Sequence, residues 1–174
     1  MEIILKNIKT YNQVLSLIEV THLRSEILNT PMFWRGNDGL KDPINTLTKY
    51  FDKDDKIFVR LQNVLTTLEP RINLHTLQRS GINLTMPQLD PPYFHTDGPD
   101  TITCLFYLNP KFDQNQGGET QFDFDNHIIG IKPEPGRLIV FDGNISHRGT
   151  YFRNQTRITV FLKYIKHPKI NLFE

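Results

Sequence analysis

Two histidines and one aspartate stand where they could share a metal ion. His95 and Asp97 lie two residues apart in segment 91–99, so on an extended strand both side chains point to the same face. His147 follows a turn-rich loop, at the start of a later predicted strand. Two imidazoles and one carboxylate are the ligands of a facial triad, which leaves positions open on a ferrous ion for a co-substrate and oxygen. Zinc accepts the same ligand types, so the metal stays open at this point.

An arginine ten residues after His147 favours iron with an acidic co-substrate. Arg157 and Thr159 share one face of the next predicted strand, and a guanidinium beside a hydroxyl can hold a dicarboxylate directionally. Arg148 and Arg153 are alternatives for this role. Arg148, however, adjoins His147 and must point to the opposite face, whereas Arg153 lies in a predicted turn. We therefore expect Arg157 and Thr159 to bind the co-substrate.

The order and spacing of these motifs resemble the iron(II)/2-oxoglutarate oxygenase superfamily. The metal and co-substrate motifs that carry the resemblance are His95-Thr-Asp97, His147 and Arg157-Ile-Thr159. The intervening Leu105-Phe-Tyr-Leu-Asn109 and Gly117-Gly-Glu-Thr-Gln-Phe122 are similar to its prolyl 4-hydroxylase-like branch. The ordered set is specific, although each motif by itself is weak.

The resemblance covers residues 72–165 and has consequences for fold and chemistry. It implies a double-stranded β-helix, which is a jelly-roll or cupin-like barrel with helices packed on its larger sheet. It implies Fe(II), 2-oxoglutarate and O2, with ascorbate as an additional cofactor candidate. His95, Asp97 and His147 then form the catalytic centre as well as the metal site.

The activity implied by the resemblance is that of a dioxygenase. It would hydroxylate a C–H bond while 2-oxoglutarate is converted to succinate and CO2. The branch favours a prolyl residue of a peptide or protein as substrate, with a free amino acid or other small molecule as the alternative. A cupin-like non-oxidative metal enzyme is a further alternative, but it has no need of Arg157 and Thr159. Asp97 argues against a halogenase, in which a small residue replaces the carboxylate.

Two groups of residues extend the predicted site. Branch members commonly carry a tyrosine that binds 2-oxoglutarate on the strand before the first metal motif, and segment 77–84 has none. Asn83 and Tyr107 are the candidates to replace it. Loops near a site often carry the substrate contacts, so we expect Trp34, Arg35 and Tyr93 to border its mouth.

The elements that must position these residues change character near Pro70. Before it, residues 57–68 follow helical spacing, with Asp54 and Asp55 as candidates to cap the start, and a second helix is predicted from Tyr11 towards Leu28. After it, short runs rich in β-branched and aromatic residues predict strands, at 72–78, 82–86, 93–97, 101–108, 120–124, 127–132, 137–141, 149–152 and 157–165. We expect a mainly β protein of one domain, residues 1–174, in which helices within 1–70 support an antiparallel barrel at 71–166.

Composition restricts the class of protein. The 174 residues suffice for one domain with a sizeable core. Twenty Lys and Arg against nineteen Asp and Glu give a net charge of +1, too little to indicate a nucleic-acid partner. The single cysteine, Cys104, lies in an apolar run and is predicted to be buried and inert. With neither a signal peptide nor a membrane-length apolar window, the expectation is a cytoplasmic enzyme without a membrane partner.

Overall fold

The computed structural model describes residues 6–34, 46–88, 92–125 and 127–173. In this part of the chain the helices are α1 (Leu17–Leu28) and α2 (Lys56–Leu68). The strands are β1 (Ile8–Tyr11), β2 (Phe33–Trp34), β3 (Thr46–Tyr50), β4 (Thr76–Thr85), β5 (Thr101–Tyr107), β6 (Thr120–Phe124), β7 (His127–Ile131), β8 (Leu138–Asp142), β9 (His147–Gly149) and β10 (Arg157–Ile165). Two short 3₁₀ turns, Pro70–Leu74 and Gln114–Gln116, complete these elements.

Two antiparallel sheets build the barrel. The main sheet has seven strands in the order β1-β8-β5-β10-β4-β3-β2, and the smaller sheet has the order β7-β6-β9. Neighbours in the main sheet are therefore mostly distant in sequence, as expected when a jelly roll winds between two sheets. The predicted double-stranded β-helix is confirmed.

Alternation along β10 separates the hydrophobic core from the barrel interior. Ile158, Val160 and Leu162 point towards α1 and α2 and join the larger core. Residues of the other face point into the barrel, namely Arg157, Thr159, Phe161 and Lys163. Because successive side chains of a strand point to opposite faces, one strand both anchors the helices and lines the interior.

Both helices begin at a capping residue. Glu19 N donates to Ser16 Oγ at 3.3 Å, and Ser16 N donates to the Glu19 carboxylate at 2.8 Å, which makes a capping box for α1. Asp55 caps α2 by accepting from Ile57 N at 2.9 Å. Of the two capping candidates, Asp54 and Asp55, the structure thus selects Asp55, and the predicted burial of Cys104 is confirmed. No helix of the described residues is long and apolar enough to cross a membrane.

The N-terminal region contains strands that the sequence did not predict. Tyr11 lies in β1, which pairs with β8, and α1 begins only at Leu17. The predicted start of the first helix was therefore wrong. β3 was missed because Thr46 and Thr48 are the side chains that face the interior, so the strand lacks the usual alternation of apolar and polar residues.

The predicted strands 72–78, 82–86 and 93–97, which lie near the site, also differ from the structure. The predicted runs 72–78 and 82–86 overlap one continuous strand, β4, which begins only at Thr76 after the 3₁₀ turn Pro70–Leu74 and passes through Gly81. A Cβ at Gly81 would lie 2.4 Å from the Lys49 carbonyl oxygen, so this glycine permits the close approach of β3 and does not mark a turn. Segment 93–97 is no strand, because only His95 forms a ladder pair, with His147.

Candidate active site

The metal motifs converge on the interior of the barrel. His95 N donates to His147 O at 2.9 Å, and His147 N donates to His95 O at 2.8 Å, which places the two imidazoles side by side. Asp97 N donates to Gly143 O at 2.8 Å. The ligand atoms of His95, Asp97 and His147 all lie within 4.8 Å of one another. In the described residues no other cluster of three His, Cys, Asp or Glu side chains offers such an arrangement.

His147 is held in the form that binds a metal. Its Nδ1 lies 2.8 Å from Ile145 O, and because a carbonyl only accepts, Nδ1 carries the proton and donates. The lone pair is then on Nε2, which lies 3.6 Å from Asp97 Oδ2. Burial lowers the pKa of His147 to about 4 despite the opposing charge of Asp97, so the ring is neutral near pH 7. A metal therefore needs to displace no proton from this ligand.

Asp97 is a buried carboxylate with both oxygens engaged. Thr103 Oγ1 donates to Oδ2 at 2.6 Å, and the Lys163 ammonium pairs with Oδ1. Burial alone would raise the pKa of Asp97, but the charges of Lys163 and His147 and the two hydrogen bonds outweigh it and lower the pKa below its ordinary value. The carboxylate is therefore ionised and fixed in orientation. Sequence reasoning missed Lys163, although it shares the face of β10 that carries Arg157.

Arg157 is a buried cation at the bottom of the interior, with only 6% of its surface exposed. Its Nε donates to Gly118 O at 2.9 Å, and its Nη2 donates to Thr120 Oγ1 at 2.9 Å. No carboxylate of the described residues forms an ion pair with it. Burial lowers the pKa of Arg157, yet a guanidinium stays charged at any physiological pH. A buried charge of this kind requires an anion.

Thr159 supplies a second unsatisfied group on the same wall. Its hydroxyl is buried and has no hydrogen-bond partner among the described residues. Thr159 and Arg157 line one cavity together with the metal-motif residues. The volume of this cavity is about 360 Å³, within the range of roughly 300–1,000 Å³ typical of small-molecule sites. The chemistry of the wall, a guanidinium beside an unpaired hydroxyl, fits the distal carboxylate of 2-oxoglutarate.

Asn83 and Tyr107, the two candidates to replace the 2-oxoglutarate-binding tyrosine of the branch, lie in different places. Asn83 lines the cavity, and its Oδ1 accepts from Thr48 Oγ1 at 3.0 Å. Tyr107 is fully buried and donates at 2.7 Å to Thr120 Oγ1, the same oxygen that accepts from Arg157. Asn83 can therefore touch a ligand directly, whereas Tyr107 supports the position of the arginine.

The other predicted residues divide into three groups. Tyr93 is 61% exposed and lines the mouth of the cavity. The Trp34 side chain and Arg35 lie outside the described residues. Arg148 and Arg153 do not line the cavity, since Arg148 stacks over Phe94 with its guanidinium carbon 4.2 Å from the ring centroid.

Fold and site together define a class of protein. A double-stranded β-helix with a His-Asp-His triad, beside a buried arginine that forms no ion pair within the described residues, is typical of a non-haem iron oxygenase with an acidic keto co-substrate. The sequence model of the 2OG-Fe(II) oxygenase superfamily matches residues 88–164, the part that contains the triad, Arg157 and Thr159. This segment, somewhat less than half of the chain, is similar to the superfamily, whose members use Fe(II), 2-oxoglutarate and O2.

Solved structures support the same fold. A prolyl hydroxylase from Trichoplax adhaerens, in complex with a peptide fragment of the hypoxia inducible factor oxygen degradation domain, superposes with a TM-score of 0.76 at 16% identity, covering 95% of this chain and 86% of that one. A prolyl-4-hydroxylase from Pseudomonas putida gives 0.69 at 16% identity, covering 92% and 93%. HygX from Streptomyces hygroscopicus, with nickel and 2-oxoglutarate bound, gives 0.71 at 12% identity, covering 96% and 86%. No curated protein matches the sequence.

Proposed function

We propose that this chain is a 2OG-Fe(II) dioxygenase, that it acts as a hydroxylase, and that its substrate is a prolyl residue of a peptide or protein. The observation that carries the proposal is the pairing of the His-Asp-His triad with Arg157 and Thr159 on the wall of one cavity. The prolyl identity has weaker support, which comes from the likeness in fold to two prolyl hydroxylases at 16% identity.

In this proposal, one group of residues binds the metal and another binds the co-substrate. His147 Nε2, Asp97 and His95 hold the iron, and the bound iron supplies activation of O2. Arg157 and Thr159 bind the distal carboxylate of 2-oxoglutarate, with Asn83 as a further contact. Because Arg157 is already ordered by Gly118 and Thr120, little side-chain freedom is lost when the co-substrate binds.

A free amino acid is the second candidate substrate. The supporting observation is the modest cavity of about 360 Å³, part of which 2-oxoglutarate must fill. The space that remains suits one residue or a small molecule. A peptide would place one residue inside and the rest across the exposed mouth near Tyr93.

Two measurements test the proposal. Anaerobic addition of Fe(II) and 2-oxoglutarate is expected to produce a visible metal-to-ligand charge-transfer band. Admission of O2 with a panel of prolyl peptides and free amino acids should then give succinate and hydroxylated product in equal amounts. A cupin-like non-oxidative enzyme would release no succinate. Release of succinate with free amino acids alone would assign the second candidate.

A further inference from the structure

The cavity carries two cations besides Arg157. Arg79 of β4 and Lys163 of β10 are directly opposite each other in the antiparallel pair, and both line the cavity. Directly opposed residues have Cβ atoms about 4.5–5.5 Å apart, so both head groups can reach one anion. Like charges in this relation destabilise a sheet, and whereas Lys163 is paired with Asp97, no ion pair within the described residues gives Arg79 a structural reason. Their position on the wall of a ligand site gives a functional one.

The side chains that line the cavity carry a net positive charge, even when the charges of Fe(II) and 2-oxoglutarate are included. The charged lining side chains are three cations, Arg79, Arg157 and Lys163, and one anion, Asp97, with a sum of +2 when both imidazoles are neutral. Fe(II) adds two positive charges and 2-oxoglutarate two negative ones, which cancel. The loaded cavity thus keeps the same excess of positive charge, which favours a substrate with an anionic group.

Arg79 is the cation best placed to receive this group. Arg79 is exposed, and its side chain forms no ion pair or hydrogen bond within the described part of the chain. Lys163 already contacts Asp97, and its other strand neighbour, Thr103, donates to the same carboxylate. Since neighbouring strands lie about 4.8 Å apart, an anion on Arg79 is one to two strand spacings from the metal ligands. An anionic group bound by Arg79 would therefore lie on the same wall of the cavity as the metal triad.

We propose that the substrate carries a carboxylate near the hydroxylated carbon, and that Arg79 binds this carboxylate with Lys163 beside it. The inference rests on the proposed function and narrows its substrate class. The carboxylate can come from a free amino acid, from a C-terminal residue, or from an acidic side chain next to the target residue. A guanidinium suits all three, because its planar fork pairs with a carboxylate through two parallel hydrogen bonds.

Matched acid and amide substrates test the proposal in the wild-type protein. The pairs are L-proline with L-prolinamide, a prolyl peptide with a free or an amidated C-terminal proline, and an internal Pro-Asp with a Pro-Asn peptide. At least one acid is expected to exceed its amide by about ten- to hundredfold in kcat/KM for succinate release, the range of a charge-assisted hydrogen bond. The pair that shows the difference identifies the source of the carboxylate. If no acid exceeds its amide, the proposal is overturned.

Variants assign the effect to Arg79. Arg79→Gln should raise KM for the acid towards that of the amide, and the Arg79→Glu variant should favour the amide. Arg153→Gln, an exposed arginine outside the cavity, is the matched control and should keep the wild-type preference. Thermal unfolding checks that the Arg79 variants are folded. An unchanged preference in Arg79→Gln would reject the assignment.

The experiments distinguish failure of the carboxylate-site proposal from failure of the proposed hydroxylase function. If amides and neutral peptides are hydroxylated as well as acids, the enzyme is a hydroxylase without a carboxylate site. If the charge-transfer band does not form with Fe(II) and 2-oxoglutarate, the proposed function itself is wrong.

Discussion

At the scale of single residues, the site depends on charges that are buried before any ligand arrives. Arg157 has hydrogen bonds to Gly118 and Thr120 but no protein anion among the described residues. Asp97 is ionised and held by Lys163 and Thr103. Ligand binding therefore completes contacts for side chains that are already in place, which is the physical meaning of a preorganised site.

Arg157→Ala is expected to weaken 2-oxoglutarate binding by about two to four orders of magnitude, because losing one partner of a buried pair costs about 3–5 kcal/mol and 1.4 kcal/mol is about tenfold. Fe(II) binding should be nearly unchanged. Titration of 2-oxoglutarate into the iron(II) protein, followed by the charge-transfer band, measures the effect. Arg153→Ala is the control and should bind normally. A large loss in Arg153→Ala, with near-normal affinity in Arg157→Ala, would mean that the other arginine binds the co-substrate.

Thr103→Val should weaken metal binding without removing a ligand. The substitution keeps the shape of the side chain and removes the 2.6 Å hydrogen bond to Asp97 Oδ2. Loss of a group that orients a ligand typically costs about 10–100-fold in metal affinity. Thr67→Val is the matched control, because Thr67 is an exposed residue of α2 whose hydroxyl bonds only to Asn63 O. Competition for Fe(II) with a chelator of known affinity reads out both variants, and equal affinities would contradict the prediction.

At the scale of elements, the turn between β8 and β9 positions Asp97. Gly143 O accepts from Asp97 N, and Gly143 N donates to Thr101 O at 2.9 Å. A Cβ at Gly143 would lie 1.9 Å from Thr101 Oγ1 and 3.1 Å from Asp97 Cβ. Only a residue without a side chain permits this approach.

Gly143→Ala is therefore expected to displace the turn and with it the carboxylate. Overpacking costs about 1–3 kcal/mol, and each 1 kcal/mol lowers Tm by roughly 2–4 °C in a protein of this size. Metal affinity should fall together with Tm. Gly130→Ala is the matched control, because a Cβ there meets the Glu119 side chain only at 3.7 Å. Calorimetry and metal titration of both variants test the prediction, which fails if Gly143→Ala behaves like Gly130→Ala.

At the scale of the whole molecule, Glu69 joins parts of the chain that are far apart in sequence. Its buried carboxylate accepts from Lys9 Nζ at 2.5 Å and from Tyr11 Oη at 3.1 Å, both in β1. It also pairs with Arg71, which donates to Leu172 O at 3.0 Å near the end of the described chain. One side chain after α2 thus connects the edge strand of the main sheet to the C-terminal segment.

This junction predicts a stability that depends on pH. Burial would raise the pKa of Glu69, but the hydrogen bond and charge of Lys9, with Tyr11 and Arg71, lower it below the ordinary 4.5. Since the folded pKa is depressed, the stabilisation is present above the unfolded pKa and is lost as the pH falls through the folded one. Glu69→Gln should therefore lower the free energy of unfolding by about 1–3 kcal/mol at neutral pH and by less in acid.

Urea unfolding of wild type and Glu69→Gln at about pH 7 and about pH 3 measures the difference. Glu134→Gln is the control, because Glu134 forms a partly exposed pair with Arg137 and such pairs contribute about 0–1 kcal/mol. A Glu69→Gln penalty that does not shrink in acid would contradict the assignment of the effect to the ionised carboxylate.

The sequence by itself determined the residue types of the site and the class of fold. Arg157 and Thr159 are two positions apart in β10, and the two-residue period of a strand already places them on one face. His95 and Asp97 have the same spacing, but segment 93–97 is no strand, so their convergence depends on the backbone contacts with His147 and Gly143. Strands β5, β6, β7, β8 and β10 were also predicted in their main part, because their apolar runs are marked by turn residues on both sides. The strand predicted at 149–152 was wrong in its bounds, because β9 is His147–Gly149 and shares only Gly149 with it.

Other features were decided only by the tertiary structure. Arg79 and Lys163 meet because of the register between β4 and β10, which the spacing of two distant segments cannot reveal. β3 pairs with β4 through interior threonines, so its role depends on the cavity that it lines and not on an apolar pattern. Tyr107 acts on Arg157 through Thr120 of the opposite sheet. The physical reason is common to all three: strand periodicity is a local property, whereas a contact across the barrel exists only after the sheets have closed.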